Sequence, residues 1–158
     1  VTRPAVTLLD HAGQRIALDV ANPYLYELTV SSHDIDAQGH VNNAAIVRWM
    51  DKAAFAHSAA VGYDMAAFRA MGAAFVVRRH EIDYLAQGYE GDAIAVATWP
   101  CRMERFTALR RHQIIRVSDG STLARALTTW IFIDTTTQRP RRMPAEMIAS
   151  FEPEDDAG

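Results

Sequence analysis

Apolar positions along this 158-residue chain change period twice. After Asn22-Pro23 the stretch "YLYELTVSS" is β-branched and aromatic, which predicts a strand. A polar stretch, "HDIDAQGHVNN", follows it. Apolar residues then dominate from Ala44 through Phe55. That run predicts a helix from about Asn43 to Val61, capped by Asn42 or Asn43 and ended by Gly62. Only Arg48, Asp51 and Lys52 mark a polar stripe, so the helix is expected to be buried on most sides. A short second helical piece is expected over "YDMAAFRAM".

The pattern then becomes that of strands. "AAFVVRRHEIDYL", "DAIAVATWPC", "RFTALRRHQIIRVS" and "STLARALTTWIFID" predict four of them. Gly88 and Gly91-Asp92 separate the first two. Asp119-Gly120 between the last two predicts a two-residue type I′ hairpin. "TTTQRPRRMPAEMIASF" predicts a loop and a last helical turn. This order implies an α+β fold, one antiparallel sheet curled around one helix. Such a sheet has edges, which dimerisation can hide. Residues 1–23 read as a leader with a short hairpin through His11-Ala12-Gly13. Residues 24–150 read as one domain and 151–158 as a flexible tail.

Composition narrows the function classes. A net charge of −3 gives no global pull toward nucleic acid or acidic lipid. The apolar runs fall short of the ~18–20 residues needed to span a bilayer. Asp10, His11 and Arg15 interrupt any signal-peptide core, so a cytoplasmic protein is expected. The lone Cys101 excludes an internal disulfide and reads as a small buried hydrophobe. Lys52 is the only lysine; the other basic residues are arginines, which suit phosphate recognition.

The polar stretch before the long helix holds the candidate chemistry. Asp34-Ile35-Asp36-Ala37-Gln38-Gly39 imitates a calcium loop, but the twelfth position, which needs Glu, is Ala45. His33, Asp34, Asp36 and His40 do not suit a transition metal, because an extended strand would point His33 and Asp34 to opposite faces. No G-x-S-x-G elbow is present for a serine hydrolase. The remaining reading is a carboxylate beside a helix N-terminus. The free N–H groups there accept an anionic oxygen. Asp36 would attack a carbonyl bound at that point or activate a water, with Gly39 letting the chain turn. On the residues alone, a purely structural role stands equally open, with Asp36 and Asn42 capping turns.

"D-x-D-x-x-G-H-V-N-N" opening an apolar helix resembles the hotdog-fold thioesterases: the bacterial long-chain acyl-CoA, 4-hydroxybenzoyl-CoA and plant acyl-ACP types. "EIDYLAQGYEGD" and "TTWIFIDTTTQRPRRMPAEM" resemble that family's later segments, so the likeness spans about residues 24–150. It implies a sheet wrapped around one long helix, dimerising into a continuous sheet. It also implies Asp36 as the catalytic carboxylate and the Asn43 backbone N–H as the donor that polarises the thioester carbonyl. His40 matches a functional histidine of the acyl-ACP enzymes, whose accompanying asparagine is replaced by Gln38. Residues that mark the aromatic-acyl type are absent at Asn43 and Ile46, which favours an aliphatic acyl group. Arg139 matches a tail arginine used for coenzyme A phosphates, and Arg105 and Arg110 are candidates by location. Gly39 and Asn42 complete the candidate binding set.

The expectation is therefore an acyl-CoA or acyl carrier protein thioester hydrolase, without cofactor or metal, acting as a homodimer or homotetramer. The alternative is a hotdog module that binds an acyl thioester without hydrolysing it. A hotdog dehydratase lacks support, because the His and Glu pairing of those enzymes is missing.

Overall fold

The structure of the protein is a computed structural model that describes residues 3–154. Strand β1 (Tyr24–Thr29) leads through a short turn of 3-10 helix, Ser32–Asp34, to helix α1 (Asn43–Ala60). Helix α2 (Met65–Met71) precedes four long strands: β2 (Ala73–Tyr84), β3 (Ala93–Glu104), β4 (Thr107–Arg116) and β5 (Thr122–Asp134). Helix α3 (Ala145–Phe151) follows. The strands form one antiparallel sheet in the order β1-β3-β4-β5-β2. No helix among the described residues is long and apolar enough to cross a membrane.

Helix α1 lies on one face of the sheet. Ile46, Trp49, Met50 and Ala53 pack there against Ile94, Val96, Ile114 and Leu123. Residues 3–23 cover the opposite face. Their hairpin, with Leu9 paired to Arg15, sets Leu8 and Ile16 against Ala95, Ala97, Trp99 and Ile115. The two layers explain why "AIAVATW" reads as an unbroken apolar run. Side chains alternate across a strand, and here both faces are covered. A third cluster, Ala54, Phe68, Phe132, Met147 and Phe151, closes the far end with α2 and α3.

The α+β architecture of the sequence reading is the one observed, and its strands and helices are present with shifted ends. Three local expectations are corrected. His33 and Asp34 lie in the 3-10 turn rather than on an extended strand; the Asp34 carboxylate accepts from the Ser31 N–H and Oγ and closes that turn. Asp119-Gly120 is not a two-residue type I′ link. The loop runs from Val117 to Ser121, and only Gly120 has a positive φ, +73°. The two-residue link is Arg105-Phe106, with Glu104 opposite Thr107 and Arg105 at φ +54°. Finally, the open stripe of α1 is wider than Arg48, Asp51 and Lys52. Phe55 is 48% exposed, because the sheet covers the helix from one side only.

The chain stays held up to Glu154, whose N–H donates to the Pro100 carbonyl. The rest of the expected tail, residues 155–158, lies outside the described residues, as do residues 1–2.

Candidate active site

The loop between β1 and α1 is a small hairpin. Ile35 pairs with Val41, and the Asp36 N–H donates to the His40 carbonyl at 2.8 Å. Gly39, at φ +83°, makes the reversal, a conformation glycine adopts without strain. Asp36 Oδ1 accepts the N–H groups of Gln38 (2.9 Å) and His40 (3.3 Å). Its second oxygen, Oδ2, has no hydrogen-bond partner among the described residues. One carboxylate oxygen thus fixes the turn and the other stays available.

The hairpin delivers the chain to the start of α1. Asn42 is the cap: its Oδ1 accepts the Ala44 N–H at 2.8 Å, and its carbonyl accepts the Ala45 N–H. Asn43 begins the helix, and its own N–H finds no acceptor among the described residues. It is one of the donors every helix leaves over at its first turn. The Asn42 N–H donates to the Asp34 carbonyl at 2.7 Å, which ties the helix start to the turn before it. Burial alone would raise the Asp34 carboxyl, but hydrogen bonds from Ser31 and the Arg48 guanidinium hold it below its ordinary value. Asp34 is therefore a structural carboxylate.

A pocket of about 190 Å³ lies beside this point, lined by Val41, Asn43, Ile46, Tyr84, Gly88 and Leu123. The Val41 N–H donates to the Gly88 carbonyl at 2.9 Å. A Cβ on Gly88 would meet Val41 Cγ2 at 2.8 Å, so no side chain fits there without a shift. Arg116 clamps the neighbouring Gln87 carbonyl at 2.9 Å and pairs with Asp119. His40 packs edge-on against Tyr89, with ring centroids 5.5 Å apart.

The three candidate arginines lie elsewhere. Arg105 tips the β3–β4 hairpin, where its carbonyl accepts the Met143 N–H; Arg139 is exposed after β5. Arg110 is not a surface residue at all. It is 6% exposed and donates to His57 Nδ1 (3.1 Å) and Thr98 Oγ1 (3.2 Å). It stands in the wall of a second, larger cavity of about 450 Å³, with Phe55, Phe68, Phe75, Met103 and Trp130.

Strand β2 relates the two ends. Its last residue, Tyr84, borders the Asn43 pocket; its first, Ala73, pairs with Asp134 and borders the larger cavity. From Asn43 to His57, α1 rises roughly 21 Å at ~1.5 Å per residue. Within one chain, then, Asp36, Gly39, His40, Asn42 and Asn43 come together, and the arginines do not join them.

The sequence reading also missed a polar pair at mid-helix. Asp51 Oδ1 is buried without a hydrogen-bond partner among the described residues, and burial raises this carboxyl while His80 acts against the rise. The His80 Nδ1 lies 2.8 Å from Thr128 Oγ1. Nothing in its spacing distinguishes Asp51 from its neighbours Arg48 and Lys52. Among the described residues no three His, Cys, Asp or Glu side chains gather closely enough to hold a metal ion.

A sheet of this order around one long helix, with a polar turn feeding the helix start, is the hotdog architecture. The sequence profile of the thioesterase-like superfamily matches residues 30–151. The chain belongs to that superfamily. A 1,4-dihydroxy-2-naphthoyl-CoA thioesterase from Synechocystis superposes with a TM-score of 0.75 at 18% identity, over 82% of this chain and 96% of that one. A Staphylococcus aureus protein in complex with CoA gives 0.78 at 15% identity, over 87% and 89%. An acyl-ACP thioesterase from Bacteroides thetaiotaomicron gives 0.69 at 20% identity, over 75% of this chain and 49% of that one. The chain thus spans about half of this last, longer structure. At these identities the likeness is one of fold.

Proposed function

We propose that the protein hydrolyses acyl thioesters of coenzyme A or of acyl carrier protein. The observation that carries this reading is the unpaired Asn43 N–H at the start of an 18-residue helix, fed by a hairpin whose Asp36 keeps one oxygen free. The thioester carbonyl oxygen would take the Asn43 N–H. Donors of this kind are worth roughly 10²–10³ in rate. Asp36 would then attack the carbonyl carbon or deprotonate a water that does so. Either way the C–S bond breaks, the thiol leaves with a proton, and water supplies the oxygen of the acid. His40 orders the loop through Tyr89 or assists proton transfer, and Gly39 and Asn42 hold the turn and cap.

The fold neighbours include proteins described as acting on an acyl-CoA and on acyl-ACP and one that binds CoA, which supports the substrate class. The arginines support a dimer. Strand β2 is a 12-residue edge, with Val76 and Val77 about 40% exposed. Pairing β2 with its copy about a twofold axis is antiparallel, which hides the edge. It also sets the Tyr84 end of one β2, with Asn43 and Asp36, beside the Ala73 end of the other, with Arg139 and the larger cavity. The complete site would then span two subunits.

The test is Asp36→Asn assayed on a panel of acyl-CoAs, with released thiol as the readout. A drop of about 10²–10⁴-fold in kcat is expected. An unchanged rate on the best substrate rejects the role of Asp36. Saturable binding without thiol release from any member would favour a non-catalytic binding module.

A further inference from the structure

Arg110 is the anomaly of the interior. A buried cation normally sits against a carboxylate, since desolvating an unpaired charge is costly. Here its partners are neutral. Thr98 offers a hydroxyl. His57 offers a ring nitrogen, and burial, with Arg110 close by, holds that imidazole down to about 3 and therefore uncharged at neutral pH. Phe151 adds a ring face, 5.8 Å from the guanidinium carbon. No acidic side chain among the described residues forms an ion pair with Arg110. Burial lowers its pKa to about 10, with Cys101 nearby acting against the fall, so it keeps its charge at neutral pH.

The cavity beside it is mostly apolar, and the polar residues in its wall besides Arg110 are Ser58, Arg69 and Thr135. The Trp130 Nε1–H is buried with no acceptor among the described residues. The Ser58 hydroxyl, also in the wall, donates to the Tyr63 carbonyl. An unneutralised guanidinium and an unpaired indole N–H beside one apolar cavity call for a ligand with an apolar body and an anionic oxygen. The volume, about 450 Å³, lies within the range of small-molecule sites.

We propose that this cavity takes an acyl group ending in a carboxylate, and that Arg110 is the residue that selects it. The reading of the chain as a thioesterase supplies the other end of the substrate. In the β2-paired dimer, the thioester would sit at one subunit's Asn43 and the acyl chain would run into the partner's cavity. The carboxylate replaces the missing counter-ion of Arg110 and accepts charge-assisted hydrogen bonds.

Two measurements test this. The first is calorimetric binding of decanoate and of 1-decanol, which share a chain and differ in charge. Decanoate is expected to bind the wild-type protein at least about tenfold more tightly, the equivalent of ~1.4 kcal/mol. Equal or weaker binding of decanoate overturns the proposal. The second compares kcat/KM for sebacoyl-CoA, which carries a distal carboxylate, with decanoyl-CoA. The wild-type enzyme is expected to prefer sebacoyl-CoA, Arg110→Met to lose or reverse the preference, and Arg110→Lys to keep part of it. Preference for decanoyl-CoA in the wild type, or an unchanged ratio in a folded Arg110→Met, overturns the selection. If neither thioester is hydrolysed while decanoate still binds preferentially, the thioesterase reading fails and the charged subsite stands.

Discussion

Asp36 divides its labour between its two oxygens. Oδ1 closes the turn by accepting two N–H groups, and Oδ2 has no such duty. The sequence placed a structural and a catalytic role in opposition; the geometry allows both in one residue. Gly88 is the less visible counterpart. Its motif shows a glycine in a linker, and nothing there tells that Val41 lies 2.8 Å from where a Cβ would stand. Gly88→Ala is expected to cost about 1–3 kcal/mol by overpacking. It should also disturb the Val41–Gly88 bond that leads into Asn43, so kcat should fall more than stability alone explains. Denaturant melts and thioester assays on the same preparation check both.

Among the elements, α1 carries most of the consequences. Its start was legible because Asn-Asn before an apolar run is a cap signal, and Asn42 does cap it. Asn42→Ala is expected to destabilise the protein by roughly 1 kcal/mol, measured by urea unfolding. Its far half was less legible. His57 is buried against Arg110 on β4, and His112 of β4 is buried with neither ring nitrogen bonded among the described residues. Burial, reinforced by Arg110, depresses both imidazoles, His57 to about 3. Above the unfolded value of ~6.5 both are neutral in either state and the stability is fully present. As pH falls below it, the unfolded chain takes up protons that the folded one refuses. Stability should then fall by up to about 1.4 kcal/mol per pH unit for each histidine. Urea melts from pH 7.5 to 4.5 should show this slope, and His57→Gln should flatten it.

For the whole molecule, the free edge of β2 and the exposed Phe55 on α1 are among the features a single chain leaves uncovered. A homodimer through β2 predicts about twice the 17.6 kDa chain mass by light scattering. Val77→Glu, on an exposed position of that strand, is expected to shift the protein toward the single-chain mass and to lower thioesterase activity by at least about tenfold, because the site is then split. A fully active single-chain species would reject the shared site.

What the sequence determined by itself was local and periodic. It fixed where apolar period becomes strand or helix, the cap at Asn42, the reversal at Gly39, and the turn that carries Asp36. These follow from side-chain chemistry within a few residues. The 3-10 turn at Ser32–Asp34 and the long Val117–Ser121 loop already escaped, because capping and hairpin geometry depend on what the flanking strands pair with. Only the tertiary structure decided the rest. It placed Arg110, by location a candidate for coenzyme A phosphates, in a cavity wall as a buried cation and left Asp51 half-covered opposite His80. It also set Asn43 and Arg139 at opposite ends of β2. Burial and charge pairing arise from segments far apart in the chain, and neither composition nor period records which of them will meet.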